Sequence, residues 1–178
     1  AELQAGLGQP SVAIALAEIA DALGPMRTPV LARSAAFWLA EGRPDRALAR
    51  WDMLLQNRPG AADQLYPLLL RWVENAEARP LLRSLLADPP QWWDQFFAYV
   101  AAKAARLEAV AFLYRNRERD GRLPGAAEQQ VYLERLWREG HWLETYLAWL
   151  SGLDEHQQQG LGNIYNGGFE LPVTGLGF

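Results

Sequence analysis

Apolar residues recur along this chain at helical spacing, in short runs that glycine and proline separate. The segment from Gly8 to Pro25 can be laid over the segment from Gly42 to Pro59 with every matched position 34 residues apart. The matched pairs are Gly8 and Gly42, Pro10 and Pro44, Ala13 and Ala47, Ala17 and Trp51, Ala20 and Leu54, and Pro25 and Pro59. A fixed period of this length indicates an architecture built from repeated units.

Each half of this pattern makes physical sense as a turn followed by a helix. Gly42 is placed to end one helix, since glycine tolerates the left-handed backbone that a helix C-terminus often needs. Pro44 suits the first position of the next helix, where no N–H donor is required. Ala47, Trp51 and Leu54 then form an apolar stripe at helical spacing, and Pro59 ends the helix.

The same reasoning predicts a chain of helices with short connections and no strands before residue 153. The phase of the 34-residue repeat slips by about three residues near Pro80, which favours a shortened turn there. The irregular part, residues 76–152, is therefore the likelier place for partner-specific contacts. The predicted helices span 1–7, 11–23, 28–41, 44–57, 61–75, 78–88, 91–104, 106–119, 125–139 and 142–152.

The repeated positions resemble the tetratricopeptide repeat, a family of antiparallel helix pairs. The second helix of that repeat is matched by Gly42, Ala47, Trp51, Leu54 and Pro59, and its first helix by Leu31, Ala35 and Trp38. The resemblance implies an all-α fold, a right-handed α-solenoid, over residues 1–153. It also implies a non-catalytic scaffold that binds a peptide or protein partner on the surface lined by the first helix of each pair.

Composition narrows the possible partners. Half of the 178 residues are hydrophobic, and the net charge of −4 argues against nucleic acid as the main partner. No apolar run is long enough for a transmembrane helix, so we expect no membrane segment. The chain has no cysteine, which fits the cytosol and the periplasm equally. Residues 1–7 resemble the end of a helix, so we expect a fragment of a longer array.

Residues 154–178 differ in composition from the rest of the chain. They are rich in glycine and lack helical periodicity, which predicts a linker, a disordered tail or the first strand of a following domain. The string NGGFE at 166–170 resembles the start of carbohydrate-binding jelly-roll modules. That resemblance implies an alternative function, a bacterial envelope protein of exopolysaccharide assembly whose C-terminal module binds carbohydrate. Under it, a periplasmic or envelope location is favoured over the cytoplasm.

No set of residues in the sequence predicts catalysis. His141 and His156 lack partners at metal-ligand spacing, and there is no nucleophile elbow, phosphate-binding loop or dinucleotide fingerprint. We therefore expect no enzyme activity, no cofactor and no metal.

Candidate partner contacts fall into three groups. Polar positions on the first helices of the predicted pairs are Arg33, Gln64, Arg71 and Gln95. Arg115 and Arg119 belong to the densest cluster of positive charge, which also contains Arg117 and Arg122. Trp92 and Trp93 lie on adjacent faces of one aromatic helix, where either one face is core and the other binds a partner, or both are core. In the last predicted pair, Trp137, Trp142, Tyr146 and Trp149 are expected to fill the core.

Overall fold

The chain is all-helical wherever its structure is described. A computed structural model describes residues 14–19, 28–119, 124–154 and 156–157, and no strand occurs among them. Residues 14–19 are helical, within the helix predicted at 11–23. The longer α-helices are α1 (Thr28–Ala40), α2 (Pro44–Asn57), α3 (Ala62–Glu74), α4 (Arg83–Ala87), α5 (Trp93–Lys103), α6 (Leu107–Arg119), α7 (Ala126–Arg138) and α8 (Trp142–Ser151).

The described residues belong to two compact units. The first unit contains the described residues up to Trp72 together with Glu77–Trp92. The second unit contains Val73–Ala76 and the described residues from Trp93 onward. The predicted glycine-rich segment begins at 154, and its residues 158–178, including the NGGFE string, lie outside the described residues.

Helices α1 and α2 form a hairpin around Gly42. The glycine has a φ of +68°, in the left-handed region predicted for it. Its N–H donates to the Leu39 carbonyl at 3.1 Å, and the Arg43 N–H donates to the Trp38 carbonyl at 2.8 Å. These two bonds are those of a Schellman motif and satisfy carbonyls at the end of α1. Helix α2 then starts at Pro44, as predicted.

The predicted apolar stripe of this hairpin is buried. Each of its six side chains is at most 5% exposed, and they are Leu31, Ala35, Trp38, Ala47, Trp51 and Leu54. Trp51 packs against Trp72, with ring centroids 5.3 Å apart. The Arg46 guanidinium lies 4.5 Å from the centroid of the Trp38 ring, close enough for a cation–π attraction.

Two prolines mark local departures from a regular helix in the first unit. Pro67 lies inside α3, beyond the first turn, so one backbone hydrogen bond of that helix is lost. The single helix predicted at 78–88 is instead a 3₁₀ turn, Arg79–Leu82, followed by the short helix α4. Pro80 lies in the first turn of this 3₁₀ segment, where no N–H donor is required.

The second unit is held together by α7. The Arg135 guanidinium donates to the carbonyls of Ala101 and Ala104 at 2.6 and 3.0 Å, where α5 ends and its carbonyls lack helical partners. The Tyr132 ring of α7 stacks on the Tyr114 ring of α6, with centroids 4.2 Å apart. Helix α7 is therefore fixed to both α5 and α6.

A second hairpin joins α7 to α8 around Gly140, which has a φ of +79°. The Gly140 N–H donates to the Trp137 carbonyl and the His141 N–H donates to the Leu136 carbonyl, both at 3.0 Å. This is the same Schellman motif as at Gly42. His141 lies in the inter-helix turn, as predicted, and immediately precedes α8.

Candidate functional site

Five of the eight predicted partner contacts have exposed side chains. Gln64 and Arg71 lie seven residues apart on α3, and therefore on the same side of that helix. The exposed residues are Arg33, Gln64, Arg71, Gln95 and Arg115. Arg119 is the last residue of α6. Arg33, Gln64 and Arg71 belong to the first unit, and Gln95 and Arg115 belong to the second.

Trp92 and Trp93 are both buried, which agrees with the alternative in which both faces of that helix are core. In the first unit, the Trp92 indole N–H donates to the Asp52 carboxylate at 2.9 Å, and the Tyr66 hydroxyl donates to the Trp92 carbonyl at 3.3 Å. In the second unit, the Trp93 indole N–H donates to the Glu128 carboxylate at 2.6 Å. Both indoles satisfy their donors inside the fold, as buried tryptophans normally do.

The predicted arginine cluster is also partly structural. Arg117 is only 8% exposed, and its guanidinium donates to both carboxylate oxygens of Glu128 at 3.2 and 3.3 Å. Glu128 is 2% exposed and also accepts from the Gly125 N–H at 2.8 Å. With the Trp93 indole, this carboxylate has four donors and closes the first turn of α7. Arg117 is thus unavailable to an acidic partner.

Among the described residues, the largest group of exposed apolar side chains lies on the α7–α8 hairpin. We call it the exposed apolar face. Its members are between 43% and 67% exposed, and they are Trp137, Trp142, Leu143, Tyr146 and Leu147. Trp137 contacts Trp142 edge to face, with ring centroids 4.4 Å apart, so the end of α7 continues the surface of α8. The expectation that Trp137, Trp142 and Tyr146 fill the core is wrong, while Trp149 is buried as expected.

The composition of α8 explains this exposure. Its buried side is formed by Thr145 and Trp149, which face the rest of the hairpin. At about 100° per residue, the exposed apolar residues of the helix occupy a further arc of about 140° beside them. One packing contact cannot cover both arcs. The rest of the helix is also largely uncharged, since Glu144 is the only charged residue of α8. A helix that is apolar on most of its sides normally has neighbours on more than one side.

Carboxylates border the exposed apolar face. Glu134 lies one turn before Trp137 on α7 and accepts a hydrogen bond from the Gln130 amide at 3.1 Å. Beside Trp142, carboxylate oxygens of Glu139 and Glu144 lie 4.0 and 3.9 Å from ring nitrogens of His141. The border of the face is therefore predominantly acidic.

The arginines of α7 point elsewhere. The Arg138 guanidinium donates to the Ala101 carbonyl at 3.3 Å, and the buried Arg135 donates to the last carbonyls of α5 while it also pairs with Glu139. Their positive charge is thus directed at the C-terminal end of α5, where it is favourable.

Comparison of the chain with protein-family models, with curated proteins and with solved structures gave no match. In the part of the chain that the structure describes, no helix is both long enough and apolar enough to cross a membrane. The described His, Asp and Glu side chains form no cluster of three that could hold a metal ion. The exposed apolar face is the candidate functional site, because its five side chains lie on one hairpin and each is at least 43% exposed.

Proposed function

We propose that this chain is a non-catalytic protein-interaction module whose docking surface is the exposed apolar face of the α7–α8 hairpin. The observation that carries the proposal is the exposure of two tryptophans, one tyrosine and two leucines side by side on one hairpin. Tryptophan and tyrosine are the residues that most often anchor protein interfaces.

The size of the face supports this function. Five half-exposed side chains of this kind present on the order of 600 Å² of mostly apolar surface, the upper end of what monomeric proteins leave in water. A surface of that extent, bordered by charged residues, is typical of a docking site for another protein. It also lies within residues 76–152, the irregular part of the repeat.

We further propose that the two hairpins are tetratricopeptide-like pairs within a right-handed α-solenoid. Supporting this, both hairpins turn on a left-handed glycine with the same pair of hydrogen bonds. Each hairpin buries a small side chain five residues after that glycine and a large side chain nine residues after it. Those buried residues are Ala47 and Trp51 in the first hairpin, and Thr145 and Trp149 in the second.

The buried polar groups of the second unit support a binding role over a catalytic one. The buried Glu128 carboxylate accepts four N–H hydrogen bonds, and the buried Arg135 guanidinium is bonded to the Ala101 and Ala104 carbonyls and to Glu139. A carboxylate bonded in this way has little acceptor capacity left for a substrate.

Site-specific photocrosslinking in the native cell tests the proposal. A benzoylphenylalanine at position 147 replaces an exposed leucine of the face, and the same residue at Ala49, also exposed, marks the equivalent position of the first hairpin. We expect discrete protein adducts from position 147 and none from position 49. A third variant carries benzoylphenylalanine in place of Gln64 and tests the surface predicted from the repeat pattern.

Adducts from position 64 alone would place partner binding on α3 and overturn the assignment to the face. Absence of protein adducts from position 147 would overturn it as well. Circular dichroism of each purified variant checks that the helices are intact.

A further inference from the structure

We infer that the partner presents an amphipathic helix with a basic border, which lies along α8 on the exposed apolar face. This inference rests on the proposed function and specifies the chemistry of the partner. Three features of the hairpin carry it: the helical form of the face, the absence of a sheet edge, and the charge around it.

The shape of the face suits a helix. Trp142 and Tyr146 form one row along α8, and Leu143 and Leu147 form a second row beside it, with the two members of each row one turn apart. The rows extend about 8 Å along the helix at a rise of about 1.5 Å per residue, and Trp137 extends the surface at one end. A partner helix can set apolar residues at spacings of three and four against such rows, as in ridge-and-groove packing.

An extended strand fits this face less well. A strand that adds to a surface obtains its affinity from main-chain hydrogen bonds to an unpaired sheet edge. On α7 and α8 the backbone N–H and carbonyl groups are bonded within the helices and in the turn at Gly140. Recognition must then come from side chains, which favours a partner with an apolar stripe over a partner that pairs through its backbone.

The charge of the border favours a basic partner. Glu134 and Glu144 are exposed beside the face, whereas the guanidinium groups of Arg135 and Arg138 are bonded to carbonyls at the end of α5. Lysine or arginine on the flanks of the partner helix would meet these carboxylates, which increases the rate of association and its specificity.

The same charge disfavours two other occupants. A second copy of this chain would bring an equal set of carboxylates to the border, and like charges across an interface oppose association. An anionic membrane surface would likewise be repelled by Glu134 and Glu144.

Binding of designed peptides tests the inference. The probes are a dye-labelled 18-residue amphipathic peptide of leucine and lysine, the same peptide with glutamate for every lysine, and a scrambled peptide of equal composition. Fluorescence anisotropy measures their dissociation constants for the whole chain. We expect the lysine peptide to bind at least tenfold more tightly than either of the others, and its affinity to decrease as salt is raised.

Matched variants assign the binding to the face. Leu143→Ser with Leu147→Ser should weaken the lysine peptide at least tenfold, because apolar contact is lost. Glu134→Gln with Glu144→Gln should weaken it several-fold and reduce its salt dependence. Leu68→Ser with Leu81→Ser alters exposed leucines of the first unit and should leave the affinity unchanged.

Equal affinity of the lysine and glutamate peptides, or no binding of the lysine peptide up to millimolar concentration, would overturn the inference. So would binding that is indifferent to Leu143→Ser with Leu147→Ser. A dimer in sedimentation equilibrium that this double variant dissociates would identify a second copy as the occupant. Retention on phosphatidylglycerol vesicles that depends on the same residues would identify a membrane surface.

The two proposals fail separately. Protein adducts from position 147 combined with equal peptide affinities would leave the docking function standing and remove only the basic helix. Absence of adducts from position 147 would remove the docking function itself.

Discussion

The α1–α2 and α7–α8 hairpins share one internal plan and differ in the surface that they turn outward. Each has a left-handed glycine between its helices, a small buried residue five positions later and a buried tryptophan nine positions later. The paired residues are Gly42 and Gly140, Ala47 and Thr145, and Trp51 and Trp149. In both hairpins, therefore, the same positions after the glycine are buried.

The outward positions are different in kind. Three and seven residues after the glycine, α2 carries Asp45 and Ala49, whereas α8 carries Leu143 and Leu147. Six residues after it, the side chain is the buried Leu48 in one hairpin and a tyrosine that is 45% exposed in the other. The inward residues therefore specify the helix pair, while the outward residues specify what the pair can bind.

Replacement of tryptophan by alanine should give the largest difference in the free energy of unfolding between inward and outward positions. Trp51→Ala and Trp149→Ala should each lower the free energy of unfolding by about 3–5 kcal/mol, since a large buried ring is removed. Trp142→Ala should change it by less than about 1 kcal/mol, because that ring is more than half exposed. Urea titration followed by circular dichroism measures these changes, and hydrogen exchange assigns them to a unit.

A loss for Trp142→Ala as large as that for Trp149→Ala would contradict this difference between the hairpins. It would mean that the outer surface of α8 is also core.

The buried carboxylate of Glu128 belongs to the second unit and gives a second difference between the two units. Glu128→Gln should lower the stability of that unit by about 3 kcal/mol, since the charge that pairs with Arg117 is lost inside the fold. Glu134→Gln is the matched control on the same helix and should cost less than about 0.5 kcal/mol. Hydrogen exchange should show reduced protection in α5, α6 and α7 and unchanged protection in α1 and α2. Equal costs for the two variants would show that the buried pair is not stabilising.

The two turn glycines should respond alike. A Cβ at Gly42 would meet no atom within 4 Å, and one at Gly140 would only touch the Trp142 ring at 4.0 Å. Alanine at either position therefore costs the strain of a left-handed backbone, about 1–2 kcal/mol. Thermal melting measures both, with an expected decrease in Tm of about 2–8 °C for each. A much larger decrease for one variant would show that the two turns are not equivalent.

Alkaline sensitivity of the first unit should be the smallest effect. Burial raises the pKa of the Tyr66 hydroxyl above its ordinary value of 10.0. Because the folded pKa is the higher one, the associated stability is complete below about pH 10 and is lost as the pH rises through the raised value. Tyr66→Phe should remove this loss in melting curves recorded from pH 9 to 12. An unchanged pH dependence in that variant would contradict the assignment.

The helices could be predicted from sequence because their ends are specified locally. The predicted span 44–57 is the observed α2, and the predicted 106–119 differs from α6 by one residue. Glycine, proline and the apolar period act within a few residues of each helix end, so no knowledge of tertiary contacts is needed. The exception is Arg79–Leu82, which forms a 3₁₀ turn in place of the predicted helix.

Burial of individual aromatic residues could not be predicted in the same way. A helical period shows which residues share a side of a helix but not which neighbour covers that side. Trp92 and Trp93 are buried because Asp52 and Glu128, 40 and 35 residues away, accept their indole hydrogen bonds. A signal for the exposed face was present in α8, whose apolar residues occupy more of the helix than one packing contact can cover.

The hydrogen bonds that tie helices together have a consequence for the entropy of folding. Arg135 bonds to a carbonyl 34 residues earlier, Trp93 to a carboxylate 35 residues later and Arg46 to one 28 residues earlier. Each such bond closes a loop about as long as one helix pair, so the entropy of loop closure is similar at every step. Both units therefore contain loop closures of similar length, and neither requires a much larger entropic cost of closure than the other.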